Sequence, residues 1–204
     1  MADDDDPIDR ATFLRQGWQR LVRGAARGAV TTVDAMTSRV SGTWLRPPGA
    51  LPEPDFLLAC TRCNECATAC PHDAIVPLHD HVGPAARTPH ILPTRMPCYL
   101  CDDLPCIAAC ADGALVPVPS GPAGVRMGIA ELSPHRCLVS RGQVCEICVQ
   151  CCPFPGVALK IGSDRLPIVD PATCTGCGVC VQVCPVRPAA LSVKPIGGNH
   201  VGAE

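Results

Sequence analysis

Apolar residues recur at three- and four-residue steps along residues 10–44 of this chain. This spacing predicts an amphipathic helix, because side chains three and four positions apart share one face. The apolar positions are Leu14, Trp18, Leu21, Val22, Ala25, Ala29, Val33, Met36 and Val40. The opposite side carries Arg20, Arg23 and Arg27. We expect this helix to pack on its own protein, with docking to a partner or to a membrane surface as the alternative.

The pattern changes after Arg46, where Pro47 and Pro48 stop any helix and predict an extended linker. Beyond it, short apolar runs occur four times, at residues 74–76, 114–116, 157–159 and 191–193. Each run is too short for a helix, so we expect short strands. Each run also follows a group of cysteines, which predicts an internally repeated protein.

Sixteen of the seventeen cysteines fall into four groups of four. The first and last groups read C-x2-C-x2-C-x3-C-P, and the two middle groups have wider gaps. In chain order the groups are Cys60, Cys63, Cys66 and Cys70; Cys98, Cys101, Cys106 and Cys110; Cys137, Cys145, Cys148 and Cys152; and Cys174, Cys177, Cys180 and Cys184. The remaining Cys151 allows another register for the third group. We favour Cys152, because the x3-C-P spacing then matches the outer groups.

The C-x2-C-x2-C-x3-C-P run is the one with which bacterial ferredoxins bind [4Fe–4S] clusters. Disulfides are a poor alternative, because bridges between cysteines so close in sequence are strained. Zinc ribbons use two separated C-x2-C pairs, not triples followed by x3-C-P. A cubane cluster needs one thiolate on each of its four irons, and thiolate is the ligand that this iron prefers. We therefore predict four [4Fe–4S] clusters, with the sixteen grouped cysteines as ligands.

In two-cluster ferredoxins the fourth cysteine of each group binds the other cluster, so two groups make one unit. Four groups predict two bacterial-ferredoxin-like units in an α+β fold, loop-rich with short strands and helices, plus the N-terminal amphipathic helix. The 23 prolines, the 18 glycines and an aromatic content of 3% also favour turns over a large core. The predicted division is an acidic tail and amphipathic segment at 1–46, a tandem ferredoxin-like domain at 47–195 and a C-terminal tail at 196–204.

The formal net charge is −2 with cysteine counted as neutral. Thiolates bound to four clusters would bring the protein to about −10. Because there is no basic excess, we expect no nucleic-acid partner. The chain contains no run of 18 apolar residues, so we expect no transmembrane segment. Every group has all four cysteines and no nucleotide-binding fingerprint is present, so we expect an electron carrier without catalytic residues and not an enzyme.

Residues 10–15 are similar to a twin-arginine export signal, R-R-x-F-L-[KR], with Ala11 at the second arginine. An apolar stretch should follow such a signal, but Arg20, Arg23 and Arg27 interrupt it. We therefore expect a cytoplasmic protein. Export to the periplasm by a degenerate signal is the alternative.

Further motifs resemble the NapG/MauM type of ferredoxin over about residues 45–193. They are Arg46-Pro47-Pro48-Gly49-Ala50-Leu51-Pro52, Phe56-Leu57 before Cys60, Pro97-Cys98 with Pro105-Cys106, Arg126-Met127-Gly128, and the wide third group ending in Cys152-Pro153. The resemblance implies electron transfer between a quinol-oxidising partner and a terminal reductase or dehydrogenase. It also implies ligand roles for the sixteen grouped cysteines. The expected partner is thus an oxidoreductase or a quinol-oxidising membrane protein, with peripheral membrane contact as a further option.

The chain is also similar to the iron–sulfur subunits of dimethyl sulfoxide reductase-like enzymes, whose second group likewise carries an x4 gap. In those subunits group one shares clusters with group four, and group two with group three. That resemblance implies nested sites, in which the first three cysteines of groups one to four are completed by Cys184, Cys152, Cys110 and Cys70, respectively. Sequential pairing, of one with two and three with four, is the alternative.

The function expected from these features is that of a ferredoxin that relays single electrons to or from a partner oxidoreductase. The alternative is a maturation or assembly factor for a metalloenzyme. In that case the clusters would be structural or would be donated to the enzyme.

Overall fold

The computed structural model describes residues 44–196. The predicted acidic tail and N-terminal amphipathic helix lie outside these residues, as does the chain after residue 196. The helices are α1 (Glu53–Ala59), α2 (Glu65–Thr68), α3 (Pro105–Ala108), α4 (Ile147–Gln150) and α5 (Val179–Gln182). The strands are β1 (Ile75–Pro77), β2 (Pro89–Ile91), β3 (Gly128–Leu132), β4 (Leu159–Ile161), β5 (Pro167–Val169) and β6 (Leu191–Pro195). Within the described range, no helix is long and apolar enough to cross a bilayer.

The strands form three two-stranded antiparallel sheets that repeat one arrangement in the two halves of the chain. In each half a hairpin connects the two cysteine groups, β1 with β2 in residues 44–118 and β4 with β5 in residues 125–196. In the second half β3 also pairs with β6, which joins the start of that half to its end. In the first half a single bridge between Ala50 and Leu115 takes this position. The predicted ferredoxin-like combination of small helices and short strands is therefore confirmed.

The four shortest helices, α2 to α5, each contain the third cysteine of one group. These cysteines are Cys66, Cys106, Cys148 and Cys180, and all four are buried. The fourth cysteine of each group lies two residues beyond the end of the same helix. Each of these one-turn helices thus carries one thiol, and a second thiol lies in the chain that follows the helix.

The buried core consists largely of these thiols and of small apolar side chains, with Phe56, Ile91 and Val125 as its largest fully buried members. Pro47 and Pro48 are also fully buried. The predicted extended linker at these residues is therefore wrong, because the two prolines belong to the core. Proline stops a helix and favours extended chain, but this reasoning does not account for the burial of the two residues, since proline is mostly an exposed residue.

Arg46 is buried beside these prolines, and its charge is fully engaged. Its guanidinium donates hydrogen bonds of 2.5 and 2.9 Å to the two carboxylate oxygens of Glu53. It also donates to the Thr88 hydroxyl at 2.8 Å and to the Pro89 carbonyl at 2.7 Å. The same group lies 4.5 Å from the centre of the Phe56 ring, a cation–π contact. Because α1 carries both Glu53 and Phe56, Arg46 fixes this helix against the start of β2.

We predict that Glu53→Gln destabilises the cluster-loaded protein by about 2–4 kcal/mol, since it leaves the buried Arg46 guanidinium without its counter-charge. The control is Glu131→Gln, which removes an ion pair to Lys194 that is about two-fifths exposed. It should cost about 0–1 kcal/mol. Guanidinium unfolding followed by far-UV circular dichroism measures both. Equal midpoints for the two variants would show that the Arg46 pair does not hold α1.

Candidate metal centres

Four cysteines drawn from two consecutive groups surround each of three cavities. Each site is named here after the group that supplies three of its cysteines. The first site combines Cys60, Cys63 and Cys66 with Cys110; the second combines Cys98, Cys101 and Cys106 with Cys70; the fourth combines Cys174, Cys177 and Cys180 with Cys152. The space among the lining residues, including its opening to solvent, is about 390, 350 and 380 Å³, respectively. Three cavities so similar in size and in thiol number indicate one site repeated along the chain.

The contacts of the third group agree with a corresponding arrangement. Cys137 and Cys184 pack in one buried cluster with Ala190. Burial, followed by repulsion from the nearby thiols of Cys145 and Cys137, raises the pKa of Cys148 to about 11. Sequential pairing would complete this third site with Cys184.

The pairing is sequential, and the nested pairing implied by the dimethyl sulfoxide reductase-like subunits is wrong for this chain. Cys70 lines the second site beside Cys98, and Cys152 lines the fourth site beside Cys174. The helices agree with this, because α2 packs on α3 and α4 packs on α5. The physical cause is the hairpin inside each half, which folds the second group of that half back onto the first.

In the first, second and fourth groups, the loops between the cysteines curl through left-handed backbone at equivalent positions. In the fourth group these positions are Gly176 and Gly178, with φ of 73° and 85°. In the first group they are Arg62 and Asn64, with φ of 64° and 68°, and in the second Leu100 and Leu104 have φ of 53° and 43°. Alternation of left- and right-handed residues turns successive N–H groups toward one side and forms an anion-binding concavity. This local conformation suits a negatively charged thiolate cluster.

Backbone N–H groups also donate to the sulfur of the fourth cysteine of several groups. Ala74 donates to Cys70 Sγ at 3.4 Å, and Leu115 donates to Cys110 Sγ at 3.3 Å. Ala190 donates to Cys184 Sγ at 3.3 Å. Such bonds stabilise thiolate charge and tune the potential of a bound cluster. Sequence reasoning did not identify these donors, although Ala74 and Leu115 lie in the apolar runs that follow the first two cysteine groups.

Burial opposes ionisation of the innermost thiols when no metal charge offsets it. Burial, followed by repulsion from Cys110 and Cys60, raises the pKa of Cys66 to about 12. Burial likewise raises the pKa of Cys98 to about 12 and that of Cys106 to about 11. A thiolate at these positions requires a positively charged partner, and the iron of a cluster supplies one.

The structure distinguishes Cys151 from Cys152. Cys151 is exposed, whereas Cys152 lines the fourth site. This supports the predicted register, in which Cys152 is the fourth member of its group. The exposed thiol lies immediately before it and lines none of the three cysteine cavities.

The donor set and the cavities fit an iron–sulfur cluster. In the part of the chain that the structure describes, no three Cys, His, Asp or Glu side chains converge closely enough to hold one metal ion. The four thiols of a site are instead spread around a wider shared space. Each corner of a [4Fe–4S] cluster takes one thiolate, so a wide quartet matches its requirement.

The two halves of the chain meet between the second and fourth sites. The backbone N–H of Cys98 donates to the carbonyl of Cys177 at 2.9 Å. The Tyr99 hydroxyl donates to the side-chain carbonyl of Gln182 at 3.1 Å. The approach is close enough that a Cβ on Gly178 would lie 2.5 Å from Cβ of Pro93. Sequence reasoning missed this contact, since it joins backbone atoms far apart along the chain.

A family model described as a 4Fe-4S binding domain matches residues 58–76 and 167–188. These two segments contain the first and fourth cysteine groups. The match does not extend to the middle groups, whose spacings depart from C-x2-C-x2-C-x3-C-P.

Curated relatives cover most of the chain. It is 41% identical over 172 residues to the methylamine utilization ferredoxin-type protein MauM of Methylophilus methylotrophus, covering 80% of this chain and 75% of the relative. It is 35% identical over 198 residues to the ferredoxin-type protein NapG of Escherichia coli, covering 92% and 86%. The chain belongs to the MauM/NapG family of ferredoxin-type proteins. The resemblance seen in the sequence is thus confirmed, while no solved structure matches the chain.

Membership in the MauM/NapG family identifies the chain as an iron–sulfur protein of electron transport and not as an enzyme. The 4Fe-4S binding domain identifies the cluster type as [4Fe–4S]. The cysteine groups, the hairpins and the one-turn helices are the units that the two halves of the described chain repeat.

Paired cysteine variants test the sequential sites in this MauM/NapG family member. We predict that Cys70→Ala combined with Cys98→Ala removes one cluster and leaves about twelve irons, because both residues serve the second site. Cys70→Ala combined with Cys174→Ala should remove two clusters and leave about eight irons. Iron is quantified after anaerobic purification, and nested sites would reverse the two results. The control is Cys151→Ser, which should retain about sixteen irons.

Proposed function

We propose that this protein is a ferredoxin with four [4Fe–4S] clusters that relays single electrons between redox partners. The clusters, when bound, each accept or donate one electron. The proposed ligands are the sixteen grouped cysteines, arranged as Cys60, Cys63, Cys66 and Cys110; Cys98, Cys101, Cys106 and Cys70; Cys137, Cys145, Cys148 and Cys184; and Cys174, Cys177, Cys180 and Cys152. Three similar cavities, each lined by four thiols, are the main support for this assignment. We also propose residues 47–195 as the tandem ferredoxin-like domain.

The contacts between sites support a single connected relay. Within each half, the fourth cysteine of one group belongs to the site of the other group. Between the halves, the Cys98 N–H group donates to the Cys177 carbonyl at 2.9 Å. Along the proposed relay, the sites therefore follow one another in the order first, second, fourth and third. The chain itself joins the two sites within each half, and the hydrogen bond from Cys98 to Cys177 joins the two halves.

The proposed partner is another redox protein, either an oxidoreductase or a quinol-oxidising membrane protein. Relatives named for methylamine utilization support an oxidoreductase system. The four complete quartets leave no site with fewer than four thiols for a substrate. The protein therefore acts by docking to its partners.

We predict that redox-titrated EPR of anaerobically purified protein shows one-electron signals that disappear on reoxidation, with the iron content unchanged through the cycle. Full cysteine coordination is the physical reason, since no iron corner is left open to exchange. The competing function as an assembly factor is tested by mixing the protein with a cluster-free metalloenzyme. Transfer of iron to that enzyme, without a reversible EPR signal, would replace the relay by cluster donation.

We propose the cytoplasm as the compartment, with the periplasm as the alternative. The proposal depends on residues 10–27, where Ala11 breaks the twin-arginine pair and three arginines interrupt the stretch that follows. Fusion of the full chain to a fluorescent reporter that folds before export, as the twin-arginine route requires, should leave the fluorescence in the cytoplasmic fraction. The control is Ala11→Arg, which restores the arginine pair and should move fluorescence to the periplasmic fraction. Periplasmic fluorescence of the unaltered fusion would place the protein in the periplasm.

A further inference from the structure

The first site opens to the surface through its own loop. Cys63 is exposed, as are its neighbours Arg62 and Asn64. The second and fourth sites face each other between the two halves, so the first site lies at one end of the proposed relay. An electron that enters or leaves at this end must pass near the exposed loop.

A wide groove adjoins this loop and is rich in arginine. It is bounded by the β1–β2 hairpin and by the chain that follows β2. Three arginines line it, Arg62, Arg87 and Arg95, and Asp80 is the one carboxylate among its lining residues. Arg62 and Arg87 also line the cavity of the first site. The groove and the first site therefore share a cationic wall.

The arginines of this groove are suited to contact a partner. Arg62 is anchored, because its guanidinium donates to the carbonyls of Ala86 at 3.0 Å and Pro84 at 2.9 Å. Arg87 and Arg95 are exposed, so their charges face solvent at the rim. Of the two histidines that line the groove, His90 adds little charge, since burial lowers its pKa. The arginines supply positive charge that does not titrate near neutral pH.

We propose that this arginine groove is the docking surface for an acidic face of a redox partner protein. The inference rests on the proposed relay function and assigns the first site as the end at which that partner exchanges electrons. Charge complementarity carries it, because three arginines against one aspartate make the groove positive on a chain that is acidic overall, at about −10, when the clusters are bound.

The test is binding of a fluorescently labelled fifteen-residue polyglutamate peptide to the cluster-loaded protein at low ionic strength. Arg87→Glu combined with Arg95→Glu should weaken binding by roughly tenfold. Added salt should weaken binding to the unaltered protein, because these charges are solvent-exposed. Fluorescence anisotropy provides both dissociation constants.

The matched control reverses two exposed arginines of the second half, Arg141→Glu with Arg165→Glu. Arg165 occupies the β4–β5 hairpin with φ of 65°, as Arg87 occupies the β1–β2 hairpin with φ of 61°. The control changes the net charge by the same amount, and its peptide affinity should stay within roughly twofold. An equal loss of peptide affinity in both variants, or no loss of affinity in the groove variant, would overturn the proposed docking surface.

Two further measurements separate the remaining outcomes. Binding of the same proteins to phosphatidylserine vesicles is also measured. If the unaltered protein binds vesicles but not the peptide, and the groove variant loses vesicle binding, the groove is a membrane-binding surface and the proposal is overturned. EPR of the same samples reports the relay independently. Reversible reduction with groove-independent peptide binding would reject only the docking surface, whereas absence of reversible reduction would reject the relay itself.

Discussion

The rest of this structure depends on one constraint: the fourth cysteine of a group lines the site of the neighbouring group and not the site of its own group. Cys66 lies in the short helix α2 and Cys70 follows that helix, yet the two residues line different cavities. The same holds for Cys106 and Cys110, so α2 and α3 must pack side by side. A ferredoxin half therefore folds as an interlocked pair of sites, and neither site is complete without the other group.

The cysteine groups, most of the short strands and the family could be predicted from the sequence, because three of the four cysteines at each site lie close together along the chain. The expected strand at residues 114–116 is only a single bridge. The pairing could not be predicted, because the partner of Cys70 depends on the path of the chain through the β1–β2 hairpin. α1 and the burial of Arg46 were also missed, since two of the arginine's partners, Thr88 and Pro89, lie 42 and 43 residues away. Proline-rich sequence indicated a linker where tertiary contacts build a core.

The surroundings of the sites differ in ways that follow from this topology. The second and fourth sites meet at the junction of the halves, where a backbone bond from Cys98 to Cys177 and the absence of a side chain at Gly178 allow close approach. The first site faces outward beside Arg62 and Arg87. Buried backbone contacts at the centre and charged side chains at the edge fit a protein that passes electrons internally and meets partners at its surface.

A crystal structure of the anaerobically purified protein, with anomalous scattering measured at the iron edge, tests the interlocked sites most directly. The account predicts four iron clusters, with Cys110 bound to the cluster of Cys60 and Cys70 bound to that of Cys98. Bonds from Cys184 to the first cluster and from Cys70 to the fourth, or single zinc ions in place of iron, would contradict it.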